Sequence, residues 1–188
     1  MAHTSPFRSV AAPALGLALL LGGCCANNVC DCNDAQEDAI RLRFSTDATP
    51  GNQGFALADL DTIIIQRLPL KVTPTTKPET VTLLRTAAQL RERRDTIVLN
   101  NNAPFAQTGA GKLNRYRYVI QYLLRPAAGR PVATTALVID SVRLRGSLES
   151  QEGSGCCTCY QNTEKTVFLN GNPVGQNIRS IPVLTITK

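Results

Sequence analysis

The stretch AIRLRFST at residues 39–46 decides the fold class, because apolar and basic side chains alternate along it. In an extended chain, successive side chains point to opposite faces. The two faces of this stretch therefore carry Ile40, Leu42 and Phe44 on one side and Arg41 and Arg43 on the other. A period of two predicts a strand that covers a core with one face and meets water with the other.

Six more short runs of apolar or alternating residues follow along the chain. They are TIIIQRL at 62–68, DTIVLN at 95–100, RYVIQYLL at 117–124, LVIDSVRLRG at 137–146, KTVFLNG at 165–171 and IPVLTITK at 181–188. Clusters of Gly, Pro and Asn separate them, as turns require. This pattern predicts an all-β domain over residues 37–188, built as a single antiparallel β-sandwich of the immunoglobulin type or a related one.

The clearest turn signal in the chain is Asn170-Gly171, because both residues tolerate the positive φ of a type I′ hairpin turn. Pro173 follows closely and lacks a backbone N–H. We therefore expect a hairpin whose second strand is confined to a sheet edge or a bulge.

One segment, TLLRTAAQLRERR at residues 82–94, has two competing interpretations. Leu83, Ala87 and Leu90 recur at helical spacing, which predicts a short surface helix near 83–94. The alternative is a strand followed by an irregular loop, and we favour that alternative.

The first 23 residues have the three parts of a targeting signal. A short start has Arg8 as its only Lys or Arg and no acidic residue, an apolar run follows at 10–21, and Gly22 and Gly23 end the segment. Twelve residues are too few to span a bilayer, which takes about 20. We therefore predict that residues 1–23 are a signal peptide that is removed after translocation.

The four residues Leu21-Gly22-Gly23-Cys24 resemble the lipobox of bacterial lipoproteins. The resemblance implies that Cys24 is the first residue of the mature chain, that its thiol carries diacylglycerol, and that residues 24–36 form a lipidated tether. Two or three acyl chains would hold the protein at a membrane, since each buried methylene contributes about 0.8 kcal/mol. The alternative is an ordinary secretory signal cleaved near Ala26.

The resemblance also bears on location. Cys25, and not Asp, follows the lipidated residue, which in Gram-negative lipoproteins favours the outer membrane over the inner one. As a whole the chain resembles secreted lipoproteins of Bacteroidota, and that likeness implies no activity. We expect a lipid-anchored protein of the cell envelope.

Six of the seven cysteines remain once Cys24 is assigned to the lipid, and they form two clusters. The clusters are Cys25, Cys30 and Cys32, and Cys156, Cys157 and Cys159. Outside the cytoplasm an even set predicts disulfides, here bridges between the clusters in which Cys25 pairs with Cys156. The alternative is a thiolate metal site or redox module, although zinc and iron–sulfur sites usually use Cys-x2-Cys spacing and not Cys-x-Cys.

The sequence contains no recognisable catalytic constellation. Its single histidine, His3, lies in the segment predicted to be removed, which excludes Ser-His-Asp and Cys-His catalysis in the mature chain. Asp59 and Asp61 are a carboxylate pair that would suit a glycosidase or a calcium site, but such pairs also form turns, and we favour the turn. We expect a non-enzymatic protein without cofactor or metal.

Three tyrosines, Tyr116, Tyr118 and Tyr122, share one face of a predicted strand. They suit either a carbohydrate-stacking platform or packing beneath the sheet, and we favour packing.

Positive charge is the remaining global feature. Without residues 1–23 the chain has 19 Lys and Arg against 14 Asp and Glu, a net charge of +5. Such a surface favours anionic partners, and nucleic acid is not expected outside the cytoplasm. Arginines two residues apart are the candidate ligands: Arg41 with Arg43, and Arg143 with Arg145.

Two arginine pairs on neighbouring strands would form a ladder of planar guanidinium groups. We predict that the pairs face the same side and bind anionic glycans or lipid head groups weakly and in a salt-dependent way. The alternative is a solvated sheet face. The overall expectation is a lipid-anchored structural or ligand-binding protein whose partners are the membrane and an envelope protein or acidic glycan.

Overall fold

The computed structural model describes residues 32, 34–47, 54–74, 76–92, 96–106, 112–150 and 158–188. The chain divides into two compact units. One comprises Met1–Asn33 with Leu148–Tyr160, and the other comprises Asp34–Ser147 with Gln161–Lys188. The larger second unit contains the core and the candidate site.

The described residues form nine strands and two short helices. The strands are β1 (Ile40–Phe44), β2 (Thr62–Pro69), β3 (Glu79–Leu84), β4 (Ile97–Leu99), β5 (Tyr116–Leu124), β6 (Val132–Ser150), β7 (Thr158–Leu169), β8 (Gln176–Asn177) and β9 (Leu184–Ile186). The helices are α1 (Asp34–Glu37) and α2 (Ala87–Arg91), and 3-10 turns occupy Leu57–Leu60 and Leu113–Arg115.

The strands form two sheets, in the orders β4-β1-β9 and β3-β2-β5-β6-β7-β8. Antiparallel pairing joins β1 to β4, β2 to β3 and β5, β5 to β6, and β7 to β8. The all-β sandwich is therefore confirmed. One pair departs from the antiparallel expectation, since β1 and β9 run parallel with Leu42 opposite Leu184.

A single apolar cluster draws side chains from both sheets. The alternation in β1 is confirmed, because Ile40, Leu42 and Phe44 are at most 6% exposed. The ring of Phe55 contacts Phe44 and Tyr122 edge-on, with centroids 5.0 Å away in each case. Burying one such aromatic or aliphatic side chain contributes about 1.5–3 kcal/mol, so this cluster is the main source of stability.

The tyrosines of β5 belong to this core. Tyr116, Tyr118 and Tyr122 are all at most 4% exposed and alternate with solvent-facing residues. The prediction that they pack beneath the sheet is confirmed, and the stacking platform is excluded because no ring face is open to a sugar.

The segment at 82–94 contains both a strand and a helix. β3 ends at Leu84, as we favoured, but α2 follows it in place of the irregular loop, so the loop prediction is wrong. The physical reason is a capping box: Thr86 Oγ1 accepts from the backbone N–H of Gln89, whose side chain accepts from the backbone N–H of Thr86.

The Asn170-Gly171 turn forms as predicted. Both residues have positive φ, 52° and 74°, and the backbone N–H of Asn172 donates to the carbonyl of Leu169 at 2.9 Å. β8 is two residues long and lies at the edge of the six-stranded sheet, as Pro173 requires.

Candidate functional site

The two arginine pairs lie in different sheets. Arg41 and Arg43 are on β1 in the three-stranded sheet, whereas Arg143 and Arg145 are on β6 in the six-stranded sheet. The prediction of one ladder on neighbouring strands is therefore wrong. The reason is that alternation sets only the face of each side chain, whereas strand neighbours depend on pairing across the whole chain.

The pair on β6 is already bound to a carboxylate. Arg143 and Arg145 both approach Glu164 of β7, at 3.6 Å and 3.4 Å, and the Arg143 guanidinium lies 5.2 Å from the centroid of the Phe168 ring. Both arginine side chains are more than half exposed, so water screens these contacts. This part of β6 fits the alternative of a solvated sheet face.

Arg41 instead lines a small pocket with two other cations. The pocket has a volume of about 150 Å³ and is lined by Arg41 of β1, Lys165 of β7 and Arg179 from the turn after β8. Glu37 at the end of α1 is its acidic member, and apolar residues before and at the start of β9 complete the wall. Three elements distant in sequence thus bring positive charge to one cavity.

Lys165 is the most deeply buried of these cations, with 8% of its surface exposed. Its Nζ donates to the carbonyl oxygen of Glu37 at 2.8 Å and to that of Ala39. The last carbonyls of a helix have no partner within the helix. Lys165 supplies that partner for α1, which holds the ammonium group at the pocket wall.

Asn162 lies on β7, like Lys165, and also forms hydrogen bonds with the end of α1. This side chain is 1% exposed, and its Nδ2 donates to the Glu37 carbonyl at 3.1 Å and to Asp38 Oδ1 at 2.9 Å. Its backbone N–H donates to Glu37 Oε1 at 2.8 Å. Asn101 donates to the other carboxylate oxygen of Asp38 at 3.1 Å. One carboxylate oxygen of Glu37, the acidic side chain of the pocket, is therefore held by a backbone N–H.

The turn that carries Arg179 is fixed to Lys165 through the backbone. The N–H of Ile178 donates to the carbonyl of Lys165 at 2.8 Å, and the N–H of Arg179 donates to Asn177 Oδ1 at 2.9 Å. The N–H of Ile181 closes the turn on the carbonyl of Ile178 at 3.1 Å. The position of Arg179 beside Lys165 is thus set by hydrogen bonds before any ligand arrives.

The pocket retains uncompensated positive charge. Burial lowers the pKa of Lys165. The negative charges of Glu37 and Asp38 oppose that change, and the positive charge of Arg41 lowers the Lys165 pKa further. The Arg41 Nη2 donates to Gln36 Oε1, a neutral amide. Within the described ranges no carboxylate forms an ion pair with Arg41, Lys165 or Arg179. An anion is the ligand that such an arrangement stabilises.

The carboxylate pair at Asp59 and Asp61 serves the fold. Asp59 is buried in the 3-10 turn and accepts from the backbone N–H of Arg125 at 2.9 Å. Asp61 binds the Arg125 guanidinium at 2.6 Å, and Arg125 Nε donates to the Ala58 carbonyl at 3.1 Å. The turn interpretation is confirmed. Across the part of the chain that the structure describes, no three His, Cys, Asp or Glu side chains converge on a common centre.

One of the expected disulfides is present. Cys32 is bonded to Cys159, 127 residues later, with their Cα atoms 5.3 Å apart. The prediction that the two cysteine clusters pair with each other is confirmed for this bridge. The other cysteines singled out in the sequence lie outside the described residues: Cys24, Cys25, Cys30, Cys156 and Cys157.

Lys165 and Arg179 were not among the residues that the sequence singled out. For Lys165 a signal was present, because in KTVFLNG it shares the core-facing phase with Val167. Arg67 shows the same signal, since it follows Ile63 and Ile65 at spacings of two and is 1% exposed. A charged residue in the apolar phase of a strand marks a buried polar contact. Arg179 lies in a turn, where no such periodicity exists.

Comparison of the chain with protein-family models, with curated proteins and with solved structures gave no match. No helix among the described residues combines the length and the apolar character needed to cross a bilayer.

Proposed function

We propose that this chain is a lipid-anchored protein of the bacterial cell envelope with a non-enzymatic, ligand-binding or structural role. The observation that carries the proposal is the Cys32–Cys159 disulfide, because such bonds form and persist mainly in oxidising compartments outside the cytoplasm. The lipobox-like residues before Cys24 support the anchor, and Cys25 after it supports the outer membrane.

The anchor is tested by replacing one atom. Cys24→Ser removes the thiol that would carry diacylglycerol and keeps the size of the side chain. We expect the native chain to fractionate with membranes and to carry acyl mass on its first mature residue, and the variant to lose both. Cys25→Ser is the matched control and should keep both. A Cys24→Ser protein that stays in the membrane fraction with its acyl mass would rule out the anchor.

A binding role is supported by the cationic pocket at Lys165, because no carboxylate among the described residues forms an ion pair with its three cations. A thiolate metal or redox module is the competing role. The Cys32–Cys159 bond withdraws two thiols from such a site. Intact mass under nonreducing conditions distinguishes a disulfide-bonded protein from a metal module. Three disulfides lower the mass by about 6 Da relative to the reduced chain, whereas a metal site leaves thiols that can be alkylated after the metal is chelated. Alkylation of four cysteines without reductant would favour the metal module.

A further inference from the structure

We propose that the pocket lined by Arg41, Lys165 and Arg179 binds a tetrahedral oxyanion, the phosphate or sulfate group of a small molecule or of a larger envelope ligand. The inference deepens the proposed binding role and rests on it, but it requires neither the lipid anchor nor further disulfides. It replaces the arginine ladder with a different set of residues, of which only Arg41 was expected.

The first argument is the unequal charge of the lining. Three cations face one acidic side chain, Glu37, and that carboxylate already accepts the backbone N–H of Asn162. By contrast, Arg143 and Arg145 on β6 both form ion pairs with Glu164. The arginines on β6 thus have a carboxylate within ion-pair distance, whereas no carboxylate among the described residues forms an ion pair with a cation of the pocket.

The second argument is the unused hydrogen-bonding capacity of Lys165. An ammonium group has three N–H donors, and two of them are taken by the carbonyls of Glu37 and Ala39. No other acceptor among the described residues takes the third. A buried cation with an unmet donor is unfavourable, and an anion in the pocket would satisfy both its charge and its hydrogen bond.

The third argument is size. Pockets for drug-sized ligands measure about 300–1,000 Å³. This one measures about 150 Å³, which corresponds to about five waters at ~30 Å³ each. It therefore admits a small ion or the end group of a longer ligand, and a whole sugar ring with its substituents would not fit inside.

The fourth argument is the arrangement of the donors. A carboxylate is bound best by the planar fork of one arginine. Here the donors come from β1, β7 and the turn after β8, and one of them is a lysine, which acts as a point charge. Donors on several walls match the oxygens of a tetrahedral group, which point in several directions. The hydrogen bonds of Ile178 and Arg179 hold the backbone of two walls in place, so binding needs to order side chains and not the turn.

The test titrates inorganic phosphate and inorganic sulfate into the full chain, purified in detergent, with isothermal calorimetry and thermal unfolding as readouts. We expect saturable binding that raises the unfolding temperature and weakens as sodium chloride is added. Arg41→Gln and Arg179→Gln should each weaken phosphate binding by up to about fivefold, which is the effect of losing one partly exposed charge contact. Lys165→Met should weaken it at least tenfold.

Arg143→Gln and Arg145→Gln are the matched controls. They remove the same charge from the face paired with Glu164 and should leave phosphate binding unchanged. Since Lys165→Met also removes the bonds to the Glu37 and Ala39 carbonyls and can unfold the domain, Arg179→Gln, at an exposed position, is the decisive variant. Absence of saturable binding by the folded native chain at millimolar phosphate and sulfate, or equal weakening in the Arg143 and Arg179 variants, would overturn the proposal.

The source of the oxyanion is distinguished by competition. Glycerol 3-phosphate represents a lipid head group, glucose 6-phosphate represents a phosphorylated glycan, and inorganic phosphate represents the free ion. The compound that binds most tightly identifies the source of the oxyanion, and tightest binding by any one of the three supports oxyanion binding at the pocket. Phosphate binding by Cys24→Ser separates this proposal from the previous one, because loss of the anchor leaves the pocket intact.

Discussion

Glu37 and Asn162 are 125 residues apart in the sequence and are joined by two hydrogen bonds. The backbone N–H of Asn162 donates to Glu37 Oε1, and its side-chain amide donates to the Glu37 carbonyl. The same amide reaches Asp38 Oδ1. This relationship attaches the residues that precede β1 to β7 and occupies one oxygen of Glu37, the acidic member of the cationic pocket.

Replacing Asn162 with alanine should destabilise the protein by about 2–4 kcal/mol. The change removes one charge-assisted hydrogen bond from the buried Asp38 carboxylate, each of which contributes about 1.5–3 kcal/mol, and leaves the Glu37 carbonyl with Lys165 as its donor. Urea unfolding measures the effect. Gln161→Ala, at an exposed neighbouring position, is the control and should change stability by less than about 0.5 kcal/mol. Equal stability of the two variants would show that the amide network is dispensable.

Arg67 provides a second buried charge whose removal can be predicted. It binds Glu79 at 2.7 Å and lies 4.4 Å and 4.8 Å from the ring centroids of Phe105 and Tyr116. Arg67→Met should lower the free energy of unfolding by about 3–5 kcal/mol, because it removes the buried guanidinium from the half-buried Glu79 carboxylate.

Two comparisons test that explanation of Arg67. The double change Arg67→Met with Glu79→Gln should recover part of the loss, since the carboxylate charge that faced the guanidinium is gone. Arg117→Met breaks the exposed pair with Asp140 and should cost at most about 1 kcal/mol. If the double variant is less stable than Arg67→Met alone, the loss arises from the cation–π contacts and not from the carboxylate.

Tyr118 should make the protein sensitive to alkaline pH. Burial raises the pKa of its hydroxyl well above the usual value near 10, the charge of Arg67 opposes that change, and Tyr116 adds to it. Above pH 10 the unfolded chain therefore loses this proton while the folded chain keeps it. The free energy of unfolding falls with pH there, by up to about 1.4 kcal/mol per pH unit from this group.

Tyr118→Phe removes that pH dependence along with the hydrogen bond to the Leu113 carbonyl. We expect a loss of about 1 kcal/mol at pH 7 and a shallower decline between pH 10 and 11 than in the native protein. Ile139→Val costs a similar amount without an ionisable group and should keep the native slope. The native protein and both variants contain Lys165, so its contribution to the pH dependence is the same in each and cancels in the comparison. Parallel slopes in all three would exclude Tyr118 as the cause.

The Cys32–Cys159 bond should contribute less than its loop length alone implies. A lone bridge that closes a loop of about 127 residues stabilises by about 4–5 kcal/mol in the chain-entropy model. If Cys25 pairs with Cys156, and Cys30 with Cys157, nearly the same loop stays closed after Cys32→Ser with Cys159→Ser. We therefore expect this double variant to be clearly more stable than the fully reduced native chain in urea unfolding. Equal stability of the two would make Cys32–Cys159 the only covalent closure.

The candidate site was only partly predictable from the sequence. Arg41 was a candidate ligand for an anion and lines the pocket, but its neighbours there are Lys165 and Arg179 and not Arg143. The sequence KTVFLNG at residues 165–171 does not indicate which strand or turn will lie next to Lys165. The contact depends on how residues 37–39 and 178–181 return to β7 from opposite ends of the chain.

The sequence by itself determined which residues face the core and where the chain turns. The alternation of Ile40, Leu42 and Phe44 and the positive φ of Asn170 and Gly171 follow from local backbone geometry, which is the same in any tertiary context. Only the tertiary structure decided that β1 lies between β4 and β9, parallel to the latter, and that Arg41 meets Lys165. The reason is physical: side-chain period is a property of a few consecutive residues, whereas strand pairing minimises the free energy of contacts between residues far apart in the sequence, such as Ile40 with Leu99 and Leu42 with Leu184.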